Sequence, residues 1–295
     1  MTSSRLAPSG KSKGPKSSGS KPIGRRFSFR RLLQPEFYLP VVVTGVFLGA
    51  WEWLGTITDP ILFAPPSRIA EAAVVLIRDG VPAFGSKRLV TLQSLTWTTL
   101  NGLLVGFAIS IITGLLIGVL LGRHKTLARV AEPYVDAIYA TPRVVLTPLI
   151  VLWFGLGYNA RLFLVWLGAT IPIIINTAIG IRNARPDLEE VGHSVGMSER
   201  QLLRHVIMPG AVPYVLAGLR VAAGRAMIGI VIGEMFLNLV GLGGFIRFEG
   251  ARLRTANAFV AVMVLGIMGS VLISSLGLLE SKFASWKKEE RSRET

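Results

Sequence analysis

Long apolar runs alternate with short polar connections along this chain. From Tyr38 onward they cover 38–57, 97–122, 144–156, 162–181, 212–237 and 259–279. A helix that crosses a bilayer needs roughly 20 mainly apolar residues. Five of the runs meet that length, and the helix of the third, shorter one is expected to start earlier, near Tyr134. The pattern predicts an all-α integral membrane protein with about six transmembrane helices.

The connections carry their own signals. Ala64-Pro65-Pro66-Ser67 reads as a turn, with Ser67 as N-cap of an amphipathic helix over 68–78 at the outer surface. Gly241-Leu242-Gly243-Gly244, followed by 245–256, reads as a turn and a short half-buried helix. Pro142 and Pro148 are expected to interrupt the third helix, because each removes a backbone donor and crowds the preceding turn. Gly102/Gly106, Gly114/Gly118 and Gly229/Gly233 each lie one turn apart. Such pairs allow close helix approach, either within the chain or to a second copy.

Composition supports lipid as the solvent. Of the 295 residues 51% are hydrophobic and 17% charged, against about 25% charged in a soluble domain. The net charge of +15 raises the question of nucleic acid, and its distribution answers it. Nine of the 32 Lys and Arg residues precede Tyr38, four lie in 123–143, five in 182–220 and five in 282–293. Eight others fall on the opposite side and Arg225 lies within a span. Basic residues concentrate on the cytoplasmic side of membrane proteins, so this bias puts both termini in the cytoplasm and favours anionic lipid over nucleic acid as the partner of the basic tail. Trp51-Glu52-Trp53 is not a small-residue cleavage site, and the first span reads as a retained anchor. The absence of cysteine excludes disulfides and thiolate metal sites. His124, His193 and His205 all fall on cytoplasmic loops, and no metal site is expected.

The one substantial inner loop carries the most information. Pro186-Asp187 suits a helix start, Gly196 a left-handed helix end, and Ser198 with Gln201 a capping box. Two short helices are expected there, with Pro209-Gly210 breaking the chain before the fifth span. The loop resembles the signature of ABC importer permeases, which reads Glu-Ala-Ala, three residues, Gly, nine residues, Ile-x-Leu-Pro. The matching positions are Glu190, Val191, Gly192, Gly196, Val206, Met208 and Pro209, with the spacing kept and the substitutions small or apolar. Ala140-Thr141-Pro142, Leu146-Thr147-Pro148-Leu149, Leu152-Trp153-Phe154-Gly155, Gly180-Ile181-Arg182-Asn183 and Gly241-Leu242-Gly243 extend the resemblance over 97–279, toward the nitrate, sulfonate and taurine branch.

That resemblance implies a type I ABC importer permease fold in the bacterial inner membrane. It makes Asp187, Glu190, Gly192, Gly196, Ser198, Arg204 and Pro209 the residues that couple to a separate ATPase. The implied partners are two ATPase subunits, a second permease copy in a homodimer, an extracytoplasmic solute-binding protein and lipid. ATP and Mg would be bound by the ATPase, with no cofactor in this chain. The glycine-rich stretch Gly14 to Lys21 lacks the Gly-Lys-Ser ending and flanking strand of a phosphate loop, so no ATPase activity is expected. The implied substrate is a small solute of the nitrate, sulfonate or taurine type, moved by alternating access. A gradient-driven secondary transporter or channel is the alternative, although no acidic cluster for ion coupling lies in the spans. A membrane-embedded enzyme ranks below both, for want of convergent His, Asp or Glu residues.

Candidates for the translocation path are Thr147, Trp153, Thr170, Asn176, Arg225 and Glu234. Arg225 either attracts an anionic substrate or snorkels toward the cytoplasm. Glu234 is expected to hold the glycine-rich turn or to balance an arginine such as Arg247. Four regions follow: a disordered basic tail (1–36), the first span with its external segment (37–96), the permease domain (97–280, coupling loop 182–209) and a C-terminal tail (281–295).

Overall fold

The computed structural model describes residues 35–59, 61–82, 89–183, 186–238 and 240–283, with backbone alone at 35–37, 186, 238 and 283. Of the expected tails, 1–36 and 281–295, residues 1–34 and 284–295 lie outside the described residues, while 35–36 already belong to the first helix and 281–283 to the last. By its contacts the chain forms two units, Met1–Leu48 and Gly49–Thr295. The described part of the first is the opening stretch of α1 (Pro35–Ile57).

Among its described residues the second unit has helices and one short ladder. α2 (Pro66–Arg78) is followed by β1 (Val81–Pro82) and β2 (Leu89–Val90), which pair antiparallel with Val81 opposite Val90. Then come α3 (Leu92–Arg123), α4 (Lys125–Ala140), α5 (Arg143–Phe154) and α6 (Tyr158–Arg182). α7 (Pro186–Ser194) and α8 (Glu199–Leu202) lead through a π-helical turn (Leu203–Ile207) into α9 (Met208–Gly233). A second π turn (Glu234–Asn238), α10 (Gly241–Ala251) and α11 (Thr255–Phe283) complete the described chain. Among the described residues five helices are long and apolar enough to cross a membrane, or six if α4 and α5 count as one broken span.

That break is sharp. α4 and α5 meet at 100° about Thr141 and Pro142, both in extended conformation. A proline disfavours helical geometry in the residue before it, and here Thr141 yields. Pro148, contrary to expectation, sits inside α5 without interrupting it. Ser67 is likewise not the cap of α2: the helix starts earlier, at Pro66, with Pro65 in the cap position. The fixed φ of proline suits a first helical turn whose amides have no partner anyway. The Ser67 hydroxyl and amide are used elsewhere, donating to the Glu52 carboxylate at 2.7 and 3.0 Å.

α3, α6 and α9 form the centre, around Leu103, Phe107, Val165, Ile173, Ala222 and Ile230. Small residues make this possible. A Cβ on Gly106, Gly114, Gly118 or Gly122 of α3 would lie 2.6–2.8 Å from Val165, Ile173, Thr177 or Ile181 of α6. Every pair is offset by the same 59 positions, so the two helices run parallel in one register. α9 returns antiparallel, with Gly229 against the Leu164 carbonyl and Gly218 against Asn176. The glycine pairs therefore serve packing within the chain. Outside this centre, α2, α10 and α11 close over a second cluster that includes Ile69, Leu76, Leu242, Phe245 and Val260.

Candidate functional site

Three places combine polar or unusual residues with defined geometry: the α7–α8 elbow, a buried cluster around Glu234, and a basic pair at the α4–α5 break.

The elbow is rigid by local means. α7 carries Asp187 and Glu189 in its first turn, where acidic residues complement the helix dipole. Gly196 follows its end at φ +76°, a conformation costly for a residue with a Cβ. Its amide donates to the His193 carbonyl at 3.0 Å, and the Met197 amide to the Gly192 carbonyl at 3.0 Å. Ser198 then caps α8 reciprocally: its hydroxyl accepts from the Gln201 amide, and its own amide donates to Gln201 Oε1 at 2.9 Å. Gly192 lets the helices touch, since a Cβ there would lie 2.6 Å from Leu202, which is fully buried.

Beyond α8 the chain does not break at Pro209. The span is continuous from Glu199 to Leu237, because the helix widens just before Pro209. The preceding π turn, closed by the Met208 amide on the Leu203 carbonyl, gives the ring room. Glu190, Ser198, Arg204 and Pro209 are exposed. Beside them Leu188, Val191 and Val195 are exposed too, and with Met197, Val206 and Pro209 they line a groove of about 410 Å³. Arg123 fastens this structure to α3, with Nη1 3.6 Å from Glu189 and Nη2 bonded to Glu199. At the end of α6, Arg182 pairs with Glu132 of α4 at 2.6 Å.

Toward the other end of α9, Glu234 is fully buried. Its carboxylate accepts from Thr99 Oγ1 at 2.9 Å, the Gly243 amide at 3.0 Å and Arg161 Nη1 at 3.2 Å. Thr99 in turn accepts from the Leu242 amide at 2.9 Å. The cluster thus ties the start of α10 to α3, α6 and α9. The cation facing Glu234 is Arg161, itself 3% exposed, and not Arg247, which donates to the Met235 carbonyl and lies over the Phe236 ring. Arg161 escaped the sequence reading because α6 begins at Tyr158, earlier than the apolar run implied. The signal that points to it is the buried acid on α9, which needs a cation from the neighbouring span.

The remaining path candidates are dispersed. Thr147 and Thr170 are buried, and neither hydroxyl has a hydrogen-bond partner among the described residues. Trp153 is 65% exposed, and Asn176 donates to the Pro172 carbonyl. Arg225 is engaged within the helical bundle. It lies seventeen residues after Met208, about 25 Å along the helix at 1.5 Å per residue. Its Nη2 donates to Tyr139 Oη at 3.1 Å, and its guanidinium lies over that ring. A Cβ on Gly168 of α6 would meet both the Arg225 carbonyl, at 2.9 Å, and Arg143 Nη1, at 3.5 Å. Arg143, the first residue of α5, had been counted among the cytoplasmic basic residues and not among the path candidates.

A family of binding-protein-dependent transport system inner membrane components matches residues 110–285, more than half of the chain and the whole elbow. The chain belongs to that family. Relatives of this permease include the taurine transport system permease protein TauC of Escherichia coli, 25% identical over 90% of this chain and 95% of that one. The nitrate import permease protein NrtB of Synechocystis is 24% identical over 89% and 95%. The riboflavin transport system permease protein RibX of Chloroflexus aurantiacus is 34% identical over 55% and 61%. The permease is accordingly a multi-pass, inner-membrane subunit of an ABC importer, and its helical, many-spanned architecture agrees with that membership. Relatives named for such different solutes do not define a substrate for this one.

Proposed function

We propose that the permease forms the translocation path of an ATP-driven importer for a small oxyanion, and that its α7–α8 elbow is the dock for a separate ATPase subunit. The observation that carries this reading is the elbow itself. A left-handed glycine, a glycine-mediated helix contact and a capping box hold two short helices at a fixed angle, with exposed apolar side chains beside Glu190 and Arg204. Exposed valines on a rigid protrusion are costly unless a partner covers them. Asp187, Glu190, Gly192, Gly196, Ser198, Arg204 and Pro209 shape or flank that surface.

On this reading two copies of the permease pair with two ATPase subunits, which hold ATP and Mg, and an external binding protein delivers the solute. Closure of the ATPases draws the elbows together and shifts the permeases between inward-open and outward-open states. The oxyanion class rests on half-buried guanidiniums deep in the helices, and two of the relatives, named for taurine and nitrate, fit it.

Co-purification with a candidate ATPase subunit tests the docking. Wild type, Gly196→Pro, Glu190→Arg and Val191→Asp are compared at equal membrane expression. Wild type is expected to retain the ATPase and the variants to lose it. Retention by all three variants would rule out the elbow as the dock, and failure of wild type to hold any ATPase would favour a gradient-driven transporter.

A further inference from the structure

Two arginines converge on Gly168 in the middle of α6, and among the described residues no carboxylate pairs with either. Arg225 sits on α9, and Arg143 opens α5 immediately after the 100° break. Both flank Gly168 of α6, which lies ten residues from Tyr158 and fourteen from Arg182, too deep for lipid headgroups from either side. A Cβ at Gly168 would lie 3.5 Å from Arg143 Nη1 and 2.9 Å from the Arg225 carbonyl, so the two residues converge on one point of α6. Among the described residues neither is ion-paired with a carboxylate, whereas Arg123, Arg161, Arg182 and Arg220 all are. Both are half-buried. Unbalanced charges inside a membrane are expensive and face a path or a partner, and two like charges side by side double that cost.

The geometry points to Arg143, Arg225 and the Tyr139 hydroxyl as the site that holds the oxyanion of the transported solute at the α4–α5 break. This rests on the transport reading above and names the place where the solute is bound. A guanidinium presents a planar fork of donors that matches sulfonate, nitrate or carboxylate oxygens two at a time. Two forks and a phenol supply enough donors to replace a hydration shell. α5 adds its N-terminus, whose first turn holds no acidic side chain and whose cap offers no side-chain acceptor. The Thr147 hydroxyl, buried and unpartnered, lies one turn further on the same face of α5. Tyr139 belongs to α4, Arg143 to α5 and Arg225 to α9, so a bound anion would join both halves of the broken span to the central bundle.

Thermal unfolding of the permease–ATPase complex in detergent provides the test, with sodium methanesulfonate, sodium nitrate and sodium chloride at matched ionic strength. Wild type is expected to shift saturably with at least one oxyanion and not with chloride. Arg143→Gln and Arg225→Gln should each raise the half-saturating concentration about tenfold or more, as loss of charge-assisted hydrogen bonds implies. Tyr139→Phe should raise it less, and Arg252→Gln at the end of α10 should leave it unchanged. If the glutamine variants do not fold, Arg143→Lys and Arg225→Lys carry the comparison, since they keep the charge and lose the fork. An equal oxyanion response in wild type and the arginine variants overturns the site. So does no oxyanion response in wild type while the ATPase still co-purifies, and that result leaves the docking reading intact.

Discussion

Arg123, the last residue of α3, holds its guanidinium 3.6 Å from Glu189 of α7. The same side chain also bonds Glu199, the first residue of α8, so one cation spans both helices of the elbow. Glu199 is mostly exposed, and surface ion pairs contribute at most about 1 kcal/mol. The link is therefore worth more as a positional tie than as a source of stability.

Arg123→Ala should consequently change thermal stability by less than about 1 kcal/mol and leave ATPase capture in place, while solute uptake per ATP hydrolysed falls. Parallel uptake and hydrolysis assays on reconstituted complexes measure that ratio. The exchange Arg123→Glu with Glu199→Arg should recover part of it.

Removing one partner of the Arg161–Glu234 pair is expected to be far more damaging. Glu234→Ala leaves a buried guanidinium unpaired and strips acceptors from Thr99 and the Gly243 amide. The expected cost is about 3–5 kcal/mol, read as a lowered unfolding midpoint in detergent. Glu234→Gln, which keeps an acceptor, should lose less.

Two glycines in long helices should respond in opposite ways to the same methyl group. Gly118→Ala places a Cβ 2.6 Å from Thr177 Cβ and should destabilise by about 1–3 kcal/mol, as overpacking does. Gly266→Ala meets nothing within 4 Å and should be neutral or stabilising by up to about 1 kcal/mol. Their difference in melting temperature, measured side by side, checks both.

At Gly196 the backbone sets the outcome, since a Cβ there meets no atom. Gly196→Ala should cost about 1–2 kcal/mol of local stability through φ alone, and Gly196→Asn less. Hydrogen exchange across 190–205 is the measurement, with protection expected to fall in that order.

Much of this architecture is written in the chain as runs of apolar residues, because lipid leaves a spanning segment few alternatives to a helix. The elbow was legible for a different reason: Gly196 and the Ser198–Gln201 pair act within one turn of the backbone, at a range that spacing encodes. What spacing does not encode is partnership between distant segments. Pro142 and Pro148 present the same local conflict, and only the packing of α5 against α6 and α9 separates a 100° break from an unbroken helix. Ser67 has the makings of a cap, yet a carboxylate fifteen residues away takes its hydroxyl. Glu234 announced a need for a cation without naming Arg161, which lies 73 positions earlier. Arg143 resembled a loop residue until the break folded it toward α9.

The parallel seam of α3 and α6 has a mechanical meaning. Backbones locked at one offset from Gly106–Val165 to Gly122–Ile181 cannot slide past each other by a residue without driving every side chain of the seam into a neighbour. The two helices must travel as a single beam. Arg123 grips the elbow at one end of that beam, and at the other Arg161 holds Glu234 and, through it, the first amides of α10. On the docking proposed above, a push on the elbow would be carried along this seam toward the Arg161–Glu234 cluster, leaving the elastic give to the kinked α4–α5 arm alongside.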